Sequence, residues 1–292
     1  MKRRRHWRSE RASFYDVDEQ RKKRYNEARA AYAAHPAAVA HRCMDDLDRS
    51  YLGVFQPNWQ EFGQLLDAAS NDQFLALELV QNVHSPKIRV DFERELSRRL
   101  HNHVASTMSL VAHVRRIVKR LPSSTKAEFD SRTKILARNP ELKFMQDFRN
   151  YTLHDSLPFI GHTLRIGHHD LNDGTFESEV ELSCEDLLVS TCWTTDSRAF
   201  LKTFGDALPL RTVVQRHGQL IRDHHVWLAR EIREIVNSAL SELNELRLAI
   251  TCAQFDVDRA TGEAFMEERA AREAIAPRPR PTPPADDEAP GP

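Results

Sequence analysis

The chain has 292 residues, 40% of them hydrophobic and 29% charged, enough for one large domain or two small ones with a buried core. Its 42 basic and 43 acidic residues leave a net charge of −1, which excludes attraction of the whole chain to nucleic acid, so any such binding needs a local patch. Only 9 glycines argue against a turn-rich all-β protein. Nothing approaches 18 consecutive apolar residues, so no transmembrane span and no membrane partner are expected. No apolar segment follows the basic N-terminus, which excludes a secretory signal. Cys43, Cys184, Cys192 and Cys252 are widely spaced and form no C-x-x-C pair, an arrangement that suits a reducing, cytoplasmic setting and argues against a zinc ribbon. The fold class is mostly α: an up-and-down helical bundle with a β-hairpin insertion and disordered termini.

Residues 1–15 place five Lys/Arg in the first eight positions. They form either a solvated basic flexible tail or an arm that grips RNA phosphates, with Trp7 able to stack on a base. An N-terminal helical region occupies 16–86. Asp18 to Ala34 is rich in strong helix formers, Pro36 opens a second helix to about Tyr51, and Gln56-Pro57-Asn58 is a turn. Short helices follow over 59–70 and 72–82. FLALELV (74–80) fits a strand equally well, because a short apolar run does not settle its own period.

After His84-Ser85-Pro86 a long helix is expected over 87–121. Phe92, Leu96, Leu100, Val104, Met108, Val111, Val114, Val118 and Leu121 recur at three-to-four spacing, as a stripe facing one core. His101, Asn102 and His103 interrupt it, His101 as a solvent-facing residue. Ser123 or Ser124 is the natural N-cap of the next helix, and Asn139-Pro140 opens the one after. Beyond Pro158 the pattern alternates with period two around an Asn-Asp-Gly turn, so a β-hairpin is expected at about 159–183. Its His162, His168, His169 and Asp170 lack a helix-spaced third ligand, and no metal or other cofactor is expected. Short helices follow over 185–190 and 196–204, the second capped by Thr195 or Asp196. Leu210 to about Phe255 reads as one last helix. At about 45 residues it would span roughly 65–70 Å, so it either kinks near Gly218 or packs partly on a second subunit. His224 and His225 are read as flank residues. The segment 276–292 holds seven of the 14 prolines and little to bury, and is expected to be a disordered tail.

The chemistry-bearing stretch is Glu141 to Pro158, ELKFMQDFRNYTLHDSLP, an amphipathic helix stopped by its proline. Arg149 carries a permanent charge on a planar fork that fits phosphate oxygens. His154 exchanges a proton near neutrality, and Asn150 can orient either one. Against this stand plainer readings: Arg149 as a helix cap or as the partner of Asp147 or Asp155, and His154 as a helix-end histidine favoured by the dipole. Positions 149 and 154 also lie about 140° apart on an ideal helix. They converge only if the last turn loosens or a second chain completes the site.

FRNYTLH followed by Leu157-Pro158 resembles the R-x4-6-H signature of HEPN domains, all-helical units of bacterial toxins, RNA-processing enzymes and RNA-guided effectors. Residues 98–114 are similar to the earlier core helix of such domains, and the resemblance covers roughly 87–256, with the hairpin as an insertion. It implies a metal-independent endoribonuclease, a toxin or defence effector acting by 2′-OH attack, with Arg149, His154 and Asn150 catalytic and Asn102 and Tyr151 supporting. RNA, a homodimeric partner and an antitoxin or regulatory protein are the implied partners. The alternative is a non-catalytic HEPN-like helical module that binds RNA or protein.

Overall fold

A computed structural model describes residues 3–81, 86–154, 160–168 and 174–275. The fold is mostly α with one small sheet. The helices are α1 (Arg3–Ala34), α2 (Pro36–Ser50), α3 (Gln56–Asn71), α4 (Gln73–Gln81), α5 (Pro86–Val118), α6 (Ser123–Leu136), α7 (Pro140–His154), α8 (Cys184–Val189), α9 (Thr195–Lys202), α10 (Leu210–Ser238), α11 (Leu240–Phe255) and α12 (Arg259–Ile275). A π-helical segment, Tyr51–Phe55, joins α2 to α3. The strands β1 (Ile160–His168), β2 (Gly174–Ser183) and β3 (Ala207–Pro209) form an antiparallel sheet in the order β1-β2-β3. Among the described residues no helix is long and apolar enough to cross a membrane. The Pro-rich 276–292 segment lies outside the described residues.

The chain divides into two compact units, one of residues 39–237 and one of residues 1–38 with 238–292. In the larger unit α3 packs on α5 and β2, α4 on β1, and α7 on both α5 and α9. Phe62, Leu66, Leu96, Leu100, Phe144 and Phe148 meet Val180, Leu182, Trp193 and Leu208 in one core. Each such fully buried side chain stabilises the fold by roughly 1.5–3 kcal/mol. Leu47, Ile117, Phe129, Leu228 and Ile232 build a second cluster in the same unit. The hairpin has the expected alternation: Ser178, Val180 and Leu182 point inward, and Leu182 pairs with Ile160 on one side and Leu208 on the other. Its Asn-Asp-Gly turn lies outside the described residues.

In the smaller unit α1 packs on α11 and α11 on α12. Arg24 bridges to Asp256 at 2.8 Å, and His35 meets Glu242 at 3.0 Å. Asp256 adopts φ 53°, the left-handed conformation that lets α11 stop. Asp258 then caps α12 through the Thr261 amide at 2.8 Å.

Several local expectations are corrected. The helix expected from Asp18 begins at Arg3. Gln56-Pro57-Asn58 is not a turn: Pro57 sits in the first turn of α3, where its missing N–H costs little. Of the two readings open for FLALELV, the expected short helix holds, as α4. Neither Ser123 nor Ser124 caps α6, whose N-cap position is Pro122 with no side-chain bond. Ser183 caps α8 and Thr194, one residue ahead of Thr195, caps α9. The last long helix runs unbroken past Gly218. It ends at Ser238 and restarts at Leu240, with Ala239 at φ −119°, ψ 20°. Gly218 serves another purpose: a Cβ there would lie 2.0 Å from the Trp59 ring, so the missing side chain is the seat of an indole.

Candidate functional site

The helix α7 carries the sequence-predicted site, and its start is set by its own residues. Asn139 Oδ1 accepts from the amides of Glu141 at 2.9 Å and Leu142 at 3.1 Å, and Pro140 follows in the first helical position. Phe144, Met145, Phe148 and Tyr151 turn into the core. Phe144, Phe148 and Tyr151 all stack on Trp193, with ring centroids 5.3–6.2 Å apart. This buried face fixes the roll of α7, and Arg149, one residue beyond Phe148, emerges half-buried at its rim.

Asp147 does not pair with Arg149. Its Oδ2 accepts from the Thr194 amide at 2.8 Å, the Thr194 hydroxyl at 2.7 Å and the Ser197 hydroxyl at 2.7 Å, which ties the start of α9 to α7. Arg149 Nη1 donates to Asn150 Oδ1 at 3.4 Å, and among the described residues the guanidinium makes no ion pair. It lines a groove of about 330 Å³ between α5 and α7, together with His101, Met108, Ser109 and Thr152. An unpaired arginine in a groove with hydroxyl and imidazole neighbours suits a phosphate. Thr152 donates to the Arg149 carbonyl at 3.1 Å, which occupies one acceptor near the end of α7.

The other expected site residues fall in different places. Asn150 lies beside Arg149 and is half-buried. His154 is the last residue of α7, and its side chain lies outside the described part, as does all of Asp155. The helix is regular through His154, so positions 149 and 154 keep their separation of about 140° within one chain. Tyr151 is a core residue, 5% exposed against Trp193. Asn102 is half-buried and absent from the groove wall, where its neighbour His101 stands. The hairpin packs chiefly on α3 and α4, with α8 and β3 against β2, and its Val180 and Leu182 join the core shared with α5 and α7. His169 and Asp170 lie outside the described residues, as do the side chains of His162 and His168.

Sequence reasoning missed a buried set of histidines. His103 is 0% exposed, and its Nε2 lies 3.2 Å from Nδ1 of His217, itself 2% exposed. Burial holds the His103 imidazole well below its ordinary pKa and lowers His217 to about 4. His224 and His225 are half-buried on the flank of α10, as expected, but packed against aromatic rings. His225 stacks on Tyr51 at 3.7 Å and His224 lies against Phe129 and Trp227, and burial lowers each to about 4. A signal for His103 was present in the spacing: Leu96, Leu100, His103, Thr107 and Leu110 follow one helical stripe. His217, His224 and His225 also line a cavity of about 240 Å³ between α5, α6, α7 and α10, which shares Val104 and Met108 with the Arg149 groove.

No family model matches the chain, and no curated protein or solved structure is significantly similar to it. What can be said of its function therefore rests on its own residues.

Proposed function

We propose that the chain is a metal-independent RNA endonuclease of HEPN type, acting as a toxin or defence effector. The observation that carries this reading is Arg149: half-buried in a groove, fixed by the roll of α7, and without an ion pair among the described residues. In the reaction the RNA 2′-oxygen attacks the adjacent phosphorus and the P–O5′ bond breaks, giving a 2′,3′-cyclic phosphate and a 5′-hydroxyl. One proton leaves the 2′-OH and one reaches the departing O5′. His154 serves in that transfer, an effect worth about 10²–10⁴ in rate. Arg149 neutralises charge on the non-bridging oxygens, and Asn150 holds the phosphate or the imidazole. The separation of Arg149 and His154 around α7 favours a homodimer in which two motifs face one cleft.

The test is induced expression in a bacterial host, with growth and total RNA followed for the wild type, Arg149→Ala and His154→Ala. Toxicity with RNA cleavage, lost in both variants and unaffected by EDTA, supports the reading. Cleavage abolished by EDTA, or retained in both variants, sinks it. A substrate with a 2′-deoxy residue at the cleaved position should resist.

The same separation favours a second reading, a non-catalytic helical module that binds RNA or protein with Arg149 as a phosphate contact. RNA binding without cleavage, weakened by salt and by Arg149→Ala, would establish it.

A further inference from the structure

We infer that the cavity between α5, α6, α7 and α10 is a binding site for a small, uncharged, largely apolar molecule that presents a hydrogen-bond acceptor to His217. The site adjoins the Arg149 groove, with Val104 and Met108 between them, and does not depend on the endonuclease reading. Its walls are mainly aliphatic, with Val111, Val114, Leu136, Leu142 and Leu228 among them, and its volume is about 240 Å³. Ligand pockets are commonly built this way, with an apolar lining and a few placed polar groups.

The polar group is set by a tautomer argument. His103 is fully buried, and its Nδ1 has no partner. A buried N–H without an acceptor is rarer and costlier than a bare acceptor nitrogen. His103 therefore carries its proton on Nε2 and donates it to His217 Nδ1 across 3.2 Å. A neutral His217 that accepts at Nδ1 holds its own proton on Nε2. That N–H has no partner among the described residues, and its ring is 2% exposed and part of the cavity wall. Burial keeps both rings uncharged. The result is an oriented donor in a mainly apolar wall, which calls for a carbonyl-type acceptor on an otherwise apolar body; the buried Thr133 Oγ1 and His225 Nδ1, also on that wall and without partners, offer the occupant further polar contacts.

Charge on the occupant is disfavoured by the same surroundings. Lys143, on the wall, is engaged with Asp196 at 3.0 Å, and Arg115 is exposed to solvent. An ionised group beside His217 would lose its hydration without gaining a charged partner.

The experiment uses the full chain and two probes of one shape: acetophenone, and α-methylstyrene, in which a CH2 replaces the carbonyl oxygen. Binding is followed through the methyl resonances of Met108 and Met145, both on the cavity wall, and through the 15N signals of His217. Both methyls should shift with either probe. Acetophenone should bind about fivefold tighter, the worth of one neutral hydrogen bond, and it alone should move the His217 Nε2 signal. Val111→Trp, which fills the cavity, should abolish binding of both. If that variant fails to fold, the Met145 shift still locates the site, because Met145 lines this cavity and not the Arg149 groove. Unshifted methyls at millimolar probe, equal affinity for the two probes, or unchanged binding in a folded Val111→Trp would each overturn the inference.

Discussion

Asp147 and Arg149 stand two positions apart on α7 and do opposite work. One carboxylate oxygen of Asp147 accepts three hydrogen bonds, and the side chain is 6% exposed. Asp147→Ala would strand the amide and hydroxyl of Thr194 and the fully buried Ser197 hydroxyl, at a cost of about 2–3 kcal/mol by urea unfolding. Asp147→Asn keeps an acceptor and should lose less. Arg149→Ala should leave stability within about 0.5 kcal/mol, because it removes no packing from the core. Gly218 is a different kind of residue-scale constraint. Gly218→Ala would drive a methyl into the Trp59 indole, and overpacking of this kind costs about 1–3 kcal/mol. Sequence reasoning saw Gly218 only as a weak point in a helix. A glycine's second use, as a place for another side chain to lie, depends on a partner about 160 residues away and leaves no local trace.

At the scale of elements, what was legible depended on periodicity. The stripe of α5, the Asn139-Pro140 opening of α7 and the period-two alternation of β1 and β2 are repeated local patterns, and each produced the element expected. The short β3 strand has no pattern of its own. It exists because β2 offers it an edge, with Leu208 opposite Leu182. The π-helical segment is equally silent, and it explains why a proline followed by a polar residue looked like a turn. Tyr51 and Phe55 are both buried while Leu52 is 53% exposed, so the wider turn places two aromatic rings inward and lets the chain enter α3 without stopping. A π-helical segment takes up one extra residue, so deleting the exposed Leu52 would let it close into α-helical turns with little rotation of α3 against α2. Near-ultraviolet dichroism should be retained, and its collapse would show that the wider turn itself is needed to seat Phe62 and Leu66. In the candidate site, Arg149 was placed correctly at the rim by counting from Phe148. The roles of His103 and His217 were not read, because a histidine on an apolar stripe gives no sign of whether its partner waits across the core.

On the scale of the whole molecule, the four histidines whose imidazoles burial holds low all belong to the unit of residues 39–237. His217, His224 and His225 are held at about 4, and His103 well below its ordinary value, all by burial in the first place. The unfolded chain, with ordinary imidazoles near 6.5, binds protons before the folded one does. Stability should therefore be level above about pH 6.5 and fall steadily as the pH is lowered from there towards 4. A thermal midpoint recorded across that range checks this, and a flat profile would mean that the imidazoles titrate normally in the fold. Three of these rings, those of His217, His224 and His225, line the cavity between α5, α6, α7 and α10, which is open to solvent on one side. A molecule that binds there against the neutral rings adds its binding free energy to that of the fold. Acid that charges the rings should therefore eject the occupant and loosen the chain together, so proton uptake and ligand release would be two readings of one event.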